Sequence, residues 1–430
     1  MHLVMGRSGL VPAGATSAPA RPRPRPATRP RRGEPDGPRS GGATRALPVY
    51  LASVLAGVVL AIAWLLPGTG AGAVLAWVAA LLLVAAVRAR RELLPAYCAG
   101  LIGHLVGFYW VYRTVCVFGG FGPAAGALIF AVFIALGALQ FLVFALIHHH
   151  LGPGFDALAL RSATAVVLAE LLTIRLFPWH FGHTQIAFTP FVQVAGIGGA
   201  MAVSFLMFWV AEAGVRVLVF REWRVAFLLP LVVFGLAIGY GLAMIGRYRS
   251  PDGRAQEVVV VQGNATLAEK RDLDSARKNL TRIWELSRTA AHPGSLVVWP
   301  EGSVPAYIPA AVARVGNPPV LPWIGDGTAF LVGSYSFLPN QERYNAAFAV
   351  YPDGRVPLPY FKRILIPFGE TLPLASYFPW LKGLNAKAGV FSAGTETRIF
   401  DYPMRRPDGA VWTLKVAPLI CYEDTVPSLA

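Results

Sequence analysis

The chain has 430 residues, of which 55% are hydrophobic and only 14% charged, and its mean hydropathy is +0.52. This composition is too apolar for an ordinary soluble protein, and the length suffices for a membrane domain and a second folded domain. Three cysteines without CxxC spacing exclude a disulfide framework and a zinc site, and two of them, Cys98 and Cys116, lie in apolar segments where packing is their expected role.

Residues 1–46 form an arginine- and proline-rich tail. The tail holds nine arginines and two acidic residues and carries almost half of the net charge of +15. Such a segment lacks the apolar surface needed to offset the entropy of ordering, so we expect it to be disordered. Because no aromatic residues are interleaved, it does not indicate nucleic-acid binding. Its arginines instead predict a cytoplasmic N-terminus that is attracted to anionic lipid.

Residues 47–246 have the pattern of a transmembrane bundle. Apolar runs long enough to cross about 30 Å of hydrocarbon predict seven helices. These helices are expected near 48–66, 70–87, 95–115, 123–147, 161–176, 191–219 and 224–246. The fifth is short and holds Glu170 and Arg175, two charges that must face the bundle or a wet cavity.

Basic residues in the loops predict the orientation of the bundle. Arg88, Arg161 and Arg221 all fall on the side of the N-terminal tail, which the positive-inside rule assigns to the cytoplasm. An odd number of spans then places the rest of the chain outside. The outward aromatic loop 177–183 suits an interfacial belt as well as a substrate mouth, and we interpret the histidine tract 148–150 as an amphipathic helix end rather than a metal site.

After a linker at 247–256, the pattern changes to short apolar strands that alternate with helical segments. Turn signals such as 262–264, 300–302 and 352–354 close these strands, and 275–290 has helical spacing. The alternation predicts an α/β domain over 257–430. In such domains chemistry gathers where strands end.

Three residues of reactive types occur at or near these strand ends. Glu301 follows a buried strand, a position that suits a general base, and Lys362 is an ammonium in an otherwise apolar segment. Cys421 follows the strand-like run 417–420 and supplies a thiol. Together they offer a base, an oxyanion partner and a nucleophile. Taken singly, each type is more often a surface charge or a small core residue.

Four motifs in order carry a resemblance to a known family. They are VVVQGN at 259–264, VWPE at 298–301, YFK with LIPFGE over 360–370 and PLICYED at 418–424, with FPW at 177–179 in the membrane half. In these motifs residues 48–430 resemble the apolipoprotein N-acyltransferases. The resemblance implies a multi-pass α-helical membrane domain, in a bacterial inner membrane, followed by an extracytoplasmic nitrilase-like domain, an α-β-β-α sandwich.

The resemblance also implies roles for six residues. The family's Glu-Lys-Cys triad, its accessory glutamate and its tyrosine–glutamate pair fall on Glu301, Lys362 and Cys421, on Glu370, and on Tyr422 and Glu423. In the implied reaction the thiol takes an acyl chain from a phospholipid, expected to be phosphatidylethanolamine, as a thioester. The amine of a diacylglyceryl-cysteine on an apolipoprotein then receives the chain as an amide. No metal or other cofactor is implied.

Three alternatives stay open. A membrane-tethered amidase of the nitrilase type would use the same triad on a soluble amide. A transporter or scaffold would make the helices the functional part and the outer domain a binding module. The family also continues past its nucleophile with further strands, an aromatic loop and a last spanning helix, whereas this sequence ends at Ala430, which predicts an incomplete domain in a truncated homologue that is poorly active or inactive.

Overall fold

The computed structural model describes residues 41–117, 119–175, 177, 179–249, 256–316, 321–367, 369–371, 377, 391–405, 409–426 and 429. Most of the tail expected to be disordered and most of the linker at 247–256 lie outside these residues. Residues 46–430 belong to one compact unit.

Ten helices make up the membrane half among the described residues. They are α1 Gly41–Leu65, α2 Gly70–Ala89, α3 Leu94–Gly107, α4 Tyr109–Val117, α5 Pro123–His150, α6 Pro153–Ala157, α7 Arg161–Leu172, α8 Thr189–Val192, α9 Ala195–Leu218 and α10 Leu229–Tyr248. Five helical segments, within α1, α2, α5, α9 and α10 with its preceding turn, are long and apolar enough to cross a membrane. The bent pair of α3 and α4 makes a sixth if it counts as one span.

The predicted fifth span, at 161–176, is shorter than expected. Its helix α7 has 12 residues and covers only about 18 Å. The guanidinium of Arg175 folds back to donate a hydrogen bond to the backbone carbonyl of Glu170, so it satisfies an acceptor at the end of the helix. By length and composition the described residues therefore hold six spans at most.

A buried ionic cluster joins several helices at the end of the bundle where α7 begins. Glu212 of α9 is fully buried, lies 2.7 Å from the guanidinium of Arg88 at the end of α2 and 3.4 Å from the imidazole of His148 on α5. Asp156 pairs with Arg161 at 2.7 Å. The histidine tract thus ends α5 as expected, but His148 faces the core rather than solvent.

The second half is built on a mixed β-sheet. Its strands are β1 Val258–Val260, β2 Leu296–Trp299, β3 Tyr307–Pro309, β4 Ala329–Phe337, β5 Arg343–Val350 and β6 Tyr360–Phe361, followed by a separate hairpin of β7 Phe400–Arg405 and β8 Val411–Val416. The sheet order is β1-β2-β4-β5-β6, with β3 beside β4. Strands β1 to β4 pair in parallel, whereas β4, β5 and β6 are antiparallel.

Both faces of this sheet are covered. Two helices, α11 Leu267–Arg271 and α12 Leu273–Ala290, precede β2. On one face, Val297 shares a core with Ile283 of α12; on the other face, its neighbour Leu296 shares a core with Met404 of β7. This alternation follows from the two-residue period of a strand. The predicted strand-like run 417–420 forms no strand in the structure and leads directly into a 3-10 turn, Cys421–Thr425.

Candidate active site

Three chain segments at the edge of the mixed sheet bring the reactive residues together. Glu301 lies two residues beyond β2, Lys362 directly follows β6, and Cys421 opens the 3-10 turn after β8. Strands β4 and β5 lie between β2 and β6. The three side chains that the motifs single out therefore meet across the sheet, although they come from segments far apart in the chain.

Lys362 is held between two carboxylates. Its Nζ lies 3.5 Å from Oε1 of Glu301 and 2.8 Å from Oε2 of Glu370, and its side chain is completely buried. Burial by itself lowers the pKa of an ammonium, but the charges of Glu301 and Glu370 outweigh it and raise the pKa of Lys362 above its ordinary value. The lysine is consequently a permanent cation beside the thiol.

Asn345 of β5 links the same two carboxylates. Its Nδ2 donates hydrogen bonds to Oε1 of Glu301 and, at 2.9 Å, to Oε1 of Glu370. Its backbone carbonyl accepts a hydrogen bond of 2.8 Å from the backbone N–H of Lys362. The motifs did not point to this residue. The available signal is a lone amide in a strand whose following residues, 346–350, are all apolar and buried.

Cys421 adopts a backbone conformation that is unusual for its residue type. Its φ is 53°, in the left-handed region that few residues other than glycine occupy. The surrounding protein and the charge of Glu301 raise the pKa of the thiol, and a hydrogen bond to the Glu301 side chain acts in the same direction. Lys362 and the backbone N–H of Tyr422 oppose this shift. Before reaction Cys421 is thus a protonated thiol, and it is hydrogen-bonded to the carboxylate of Glu301.

Glu423 ties the cysteine turn to the lysine loop. Its carboxylate is fully buried and accepts hydrogen bonds from the Tyr360 hydroxyl at 2.8 Å and from the backbone N–H groups of Arg363 at 2.7 Å and Ile420 at 2.8 Å. Because these protein groups occupy its carboxylate, Glu423 supports the cysteine turn and the lysine loop and does not itself face the reactive groups. Glu370 is fixed in addition by the backbone N–H of Ile366 at 3.0 Å.

A cavity of about 620 Å³ adjoins the cysteine turn. Its walls come from both halves of the protein and include His104, Phe133, Phe177, Trp179, Pro367 and Tyr422. The ring of Tyr422, which directly follows Cys421, lies 6.1 Å from that of Phe177. The aromatic loop at 177–183 therefore contributes to a cavity wall, which favours the substrate-mouth interpretation over a simple interfacial belt.

Glu170 and Arg175 do not pair through their side chains. The carboxylate of Glu170 accepts hydrogen bonds from the backbone N–H of Phe181 at 2.9 Å and from the Ser204 hydroxyl at 3.0 Å, and lies 2.8 Å from Nδ1 of His180. These hydrogen bonds fix the aromatic loop at 177–183, which lines part of the cavity. Among the described residues, no group of histidine, cysteine and carboxylate side chains has the arrangement of a metal site.

Comparisons with known proteins point to one family. Residues 56–213 match the family model described as the apolipoprotein N-acyltransferase N-terminal domain. A relative named apolipoprotein N-acyltransferase from Geobacter metallireducens is 30% identical over 410 residues, covering 89% of this chain and 74% of the relative. Relatives with the same name from Azotobacter vinelandii and Vibrio parahaemolyticus are 29% and 24% identical, covering 79% and 80% of this chain and 66% and 68% of their own lengths.

Proposed function

The chain belongs to the apolipoprotein N-acyltransferase family and is an acyltransferase of lipoprotein maturation, and we propose that it works through a thioester on Cys421. The observation that carries this proposal is the meeting of Glu301, Lys362 and Cys421 at one edge of the sheet, with Lys362 Nζ 3.5 Å from Glu301. A base, a fixed cation and a thiol in contact are the groups that acyl transfer requires.

In the first step the thiol of Cys421 attacks the ester carbonyl of a phospholipid. Glu301 takes the thiol proton as the carbon–sulfur bond forms, and Lys362 stabilises the negative charge on the carbonyl oxygen. When the carbon–oxygen bond breaks, Glu301 returns the proton to the leaving alkoxide, which departs as lysophospholipid. The raised pKa of Cys421 fits this sequence, since the proton leaves only when the base and the ester are both in place.

In the second step the α-amine of a diacylglyceryl-cysteine attacks the thioester. Glu301 accepts a proton from the nitrogen, the carbon–sulfur bond breaks, and the sulfur leaves with its charge beside Lys362 until Glu301 returns the proton to it. The product is an amide on the apolipoprotein. Asn345, Glu370 and Glu423 act as positioning residues in this scheme, because they hold the base, the cation and the cysteine turn.

The proposed donor is a phospholipid such as phosphatidylethanolamine. The cavity of about 620 Å³ beside Tyr422 is lined mainly by apolar and aromatic side chains of the membrane half. Apolar walls suit an acyl chain, and a position between helices gives access from the bilayer. The ester would then lie near Cys421, at the junction of the two halves.

We assign residues 47–246 to the membrane bundle and 257–430 to a catalytic domain of the nitrilase type. The sheet covered by α12 on one face and by the hairpin of β7 and β8 on the other supports the sandwich interpretation. The arginine-rich ionic cluster around Glu212 lies where α10 begins, whereas the catalytic domain follows the end of α10. By the positive-inside rule this arrangement favours an extracytoplasmic catalytic domain in a bacterial inner membrane. A cytoplasmic N-terminus then requires an odd number of passes. Helix α7 supplies the seventh, because it begins at Arg161 beside the ionic cluster and the residues that follow it, Ile174 and Arg175, line the cavity beside Tyr422.

The thioester can be trapped on the purified full chain. Incubation with an alkyne-tagged phosphatidylethanolamine, followed by click labelling and denaturing electrophoresis, should give a hydroxylamine-sensitive band that Cys421→Ala lacks. The matched control is the double variant Cys98→Ala/Cys116→Ala, which should keep the band. Labelling that survives Cys421→Ala would overturn the proposal, and lipid-independent release of ammonia from a soluble amide would indicate an amidase instead.

A further inference from the structure

A groove lies where α9 ends and α10 begins, away from the catalytic domain. Its lining includes Val217, Leu218, Trp223, Arg224, Phe227 and Leu231, and its volume is about 480 Å³. This volume is within the range of small-molecule sites, roughly 300–1,000 Å³. Helix α10 runs for 20 residues from the groove towards the catalytic domain, a rise of about 30 Å, so the groove lies at the opposite end of the bundle.

The walls of the groove are apolar and accessible. Val225 is 86% exposed, Leu218 67% and Leu231 52%. Both α9 and α10 are candidate membrane spans, so the surface that they expose faces lipid rather than water. Side chains of this kind offer an acyl chain a binding surface with few polar groups to desolvate.

The loop beside the groove holds two arginines with which no described carboxylate pairs. Arg224 lines the groove, Arg221 lies in the same loop, and the structure gives neither guanidinium an ion pair within the described part of the chain. Glu222, the acidic residue between them, is bound by Arg216 at 2.6 Å. Trp223 is 77% exposed, as expected of a tryptophan at headgroup level.

We propose that this groove is a binding site for an anionic phospholipid of the leaflet opposite the catalytic domain. One acyl chain lies along Leu218 and Leu231, and the phosphate contacts Arg224 and Arg221. Charge decides the occupant, because two unpaired guanidinium groups beside an apolar groove favour a lipid with net negative charge over a zwitterionic one. The site is separate from the donor cavity beside Tyr422 and does not depend on the proposed catalytic mechanism.

Native mass spectrometry and thermal unfolding of the full chain in detergent test the proposal. Phosphatidylglycerol should bind and stabilise the wild-type protein more than phosphatidylcholine does. Arg221→Gln/Arg224→Gln should weaken phosphatidylglycerol binding by roughly fivefold for each arginine lost. Leu228→Trp, which fills the groove from an exposed lining position, should reduce binding without removing charge.

The matched control is Arg247→Gln/Arg249→Gln, which removes two exposed charges at the other end of α10. It should leave phosphatidylglycerol binding unchanged. Equal losses in both double variants would overturn the site, because they would indicate general electrostatic attraction. Unchanged binding in Arg221→Gln/Arg224→Gln, or dimerisation that Leu228→Trp abolishes while lipid binding persists, would overturn it as well.

Discussion

The reactivity of Cys421 is set by burial and by two neighbours of opposite charge. Burial raises the pKa of the thiol, Glu301 raises it further and Lys362 lowers it, and the net result is a pKa above the ordinary value of 9.0. The thiol form therefore dominates at neutral pH. Such a cysteine is protected from adventitious attack until its base removes the proton, which distinguishes it from cysteines that rest as thiolates.

Replacing either of these two neighbours should shift the pH dependence of Cys421 alkylation, and the two shifts should have opposite directions. In a Cys98→Ala/Cys116→Ala background, Glu301→Gln removes the carboxylate that raises the thiol pKa. In this variant Cys421 should react with iodoacetamide several-fold faster at pH 8 than in the parent, and the midpoint of the pH dependence of this reaction should be lower. In Lys362→Met the alkylation of Cys421 should be slower, and the midpoint of its pH dependence should be higher. Both variants should lose acyl transfer. A slower reaction in Glu301→Gln would show that this carboxylate does not control the thiol.

At the scale of elements, β4 and the turn after β2 approach too closely for any side chain at Gly333. A Cβ built there would lie 2.5 Å from the carbonyl oxygen of Pro300 and 2.6 Å from Cα of Glu301. The carbonyl of Gly333 also accepts a hydrogen bond of 2.9 Å from the backbone N–H of Ser303. The position of Glu301 thus depends on a glycine in the neighbouring strand.

Gly333→Ala should therefore damage activity more than stability. Overpacking of this kind costs about 1–3 kcal/mol, whereas a displacement of the base by about 1 Å can reduce the rate by about a hundredfold. The measurements are acyl-transfer rate and melting temperature. Gly235→Ala in α10, where a Cβ would meet no atom within 4 Å, is the control and should lower neither. A fully active Gly333→Ala would mean that the turn carrying Glu301 is free to adjust.

At the scale of the whole molecule, buried ion pairs as well as apolar packing connect the helices of the bundle. Glu212 connects α9 to α2 through Arg88, and its carboxylate also accepts a hydrogen bond from the backbone N–H of Ser162 at 3.2 Å. Because these groups are enclosed, loss of one partner leaves a charge without compensation. The pair of Arg90 and Glu92 has the same separation of 2.7 Å but is partly exposed to solvent.

The two pairs allow a comparison of burial at equal N–O separation. Glu212→Gln should destabilise the protein by about 3–5 kcal/mol, whereas Glu92→Gln should cost less than about 1 kcal/mol. Melting temperatures of the full chain in detergent measure the difference. Phospholipid thioester formation below the melting temperature should survive in both variants, because the cluster lies far from Cys421. Equal melting temperatures would contradict a stabilising role for the buried pair.

Local patterns in the amino-acid sequence predicted many of the helices and strands and the main candidate site residues. Long apolar runs predicted the spanning helices of α1, α2, α5, α9 and α10, because in lipid each segment must satisfy its own backbone hydrogen bonds. Short apolar runs closed by turn signals predicted β1, β2 and β5, and the motifs singled out Glu301, Lys362 and Cys421. These properties depend on residues that are close in the chain, so the amino-acid sequence displays them directly.

Tertiary packing decided the rest. The amide of Asn345 joins two carboxylates from distant segments, Glu423 is enclosed by backbone groups of two loops, and the guanidinium of Arg175 donates a hydrogen bond to the backbone carbonyl of Glu170 near the end of α7. Whether a polar side chain meets solvent, a carboxylate or a backbone N–H depends on which distant segments pack beside it. That choice comes from the summed packing of the whole molecule, and no local pattern contains it.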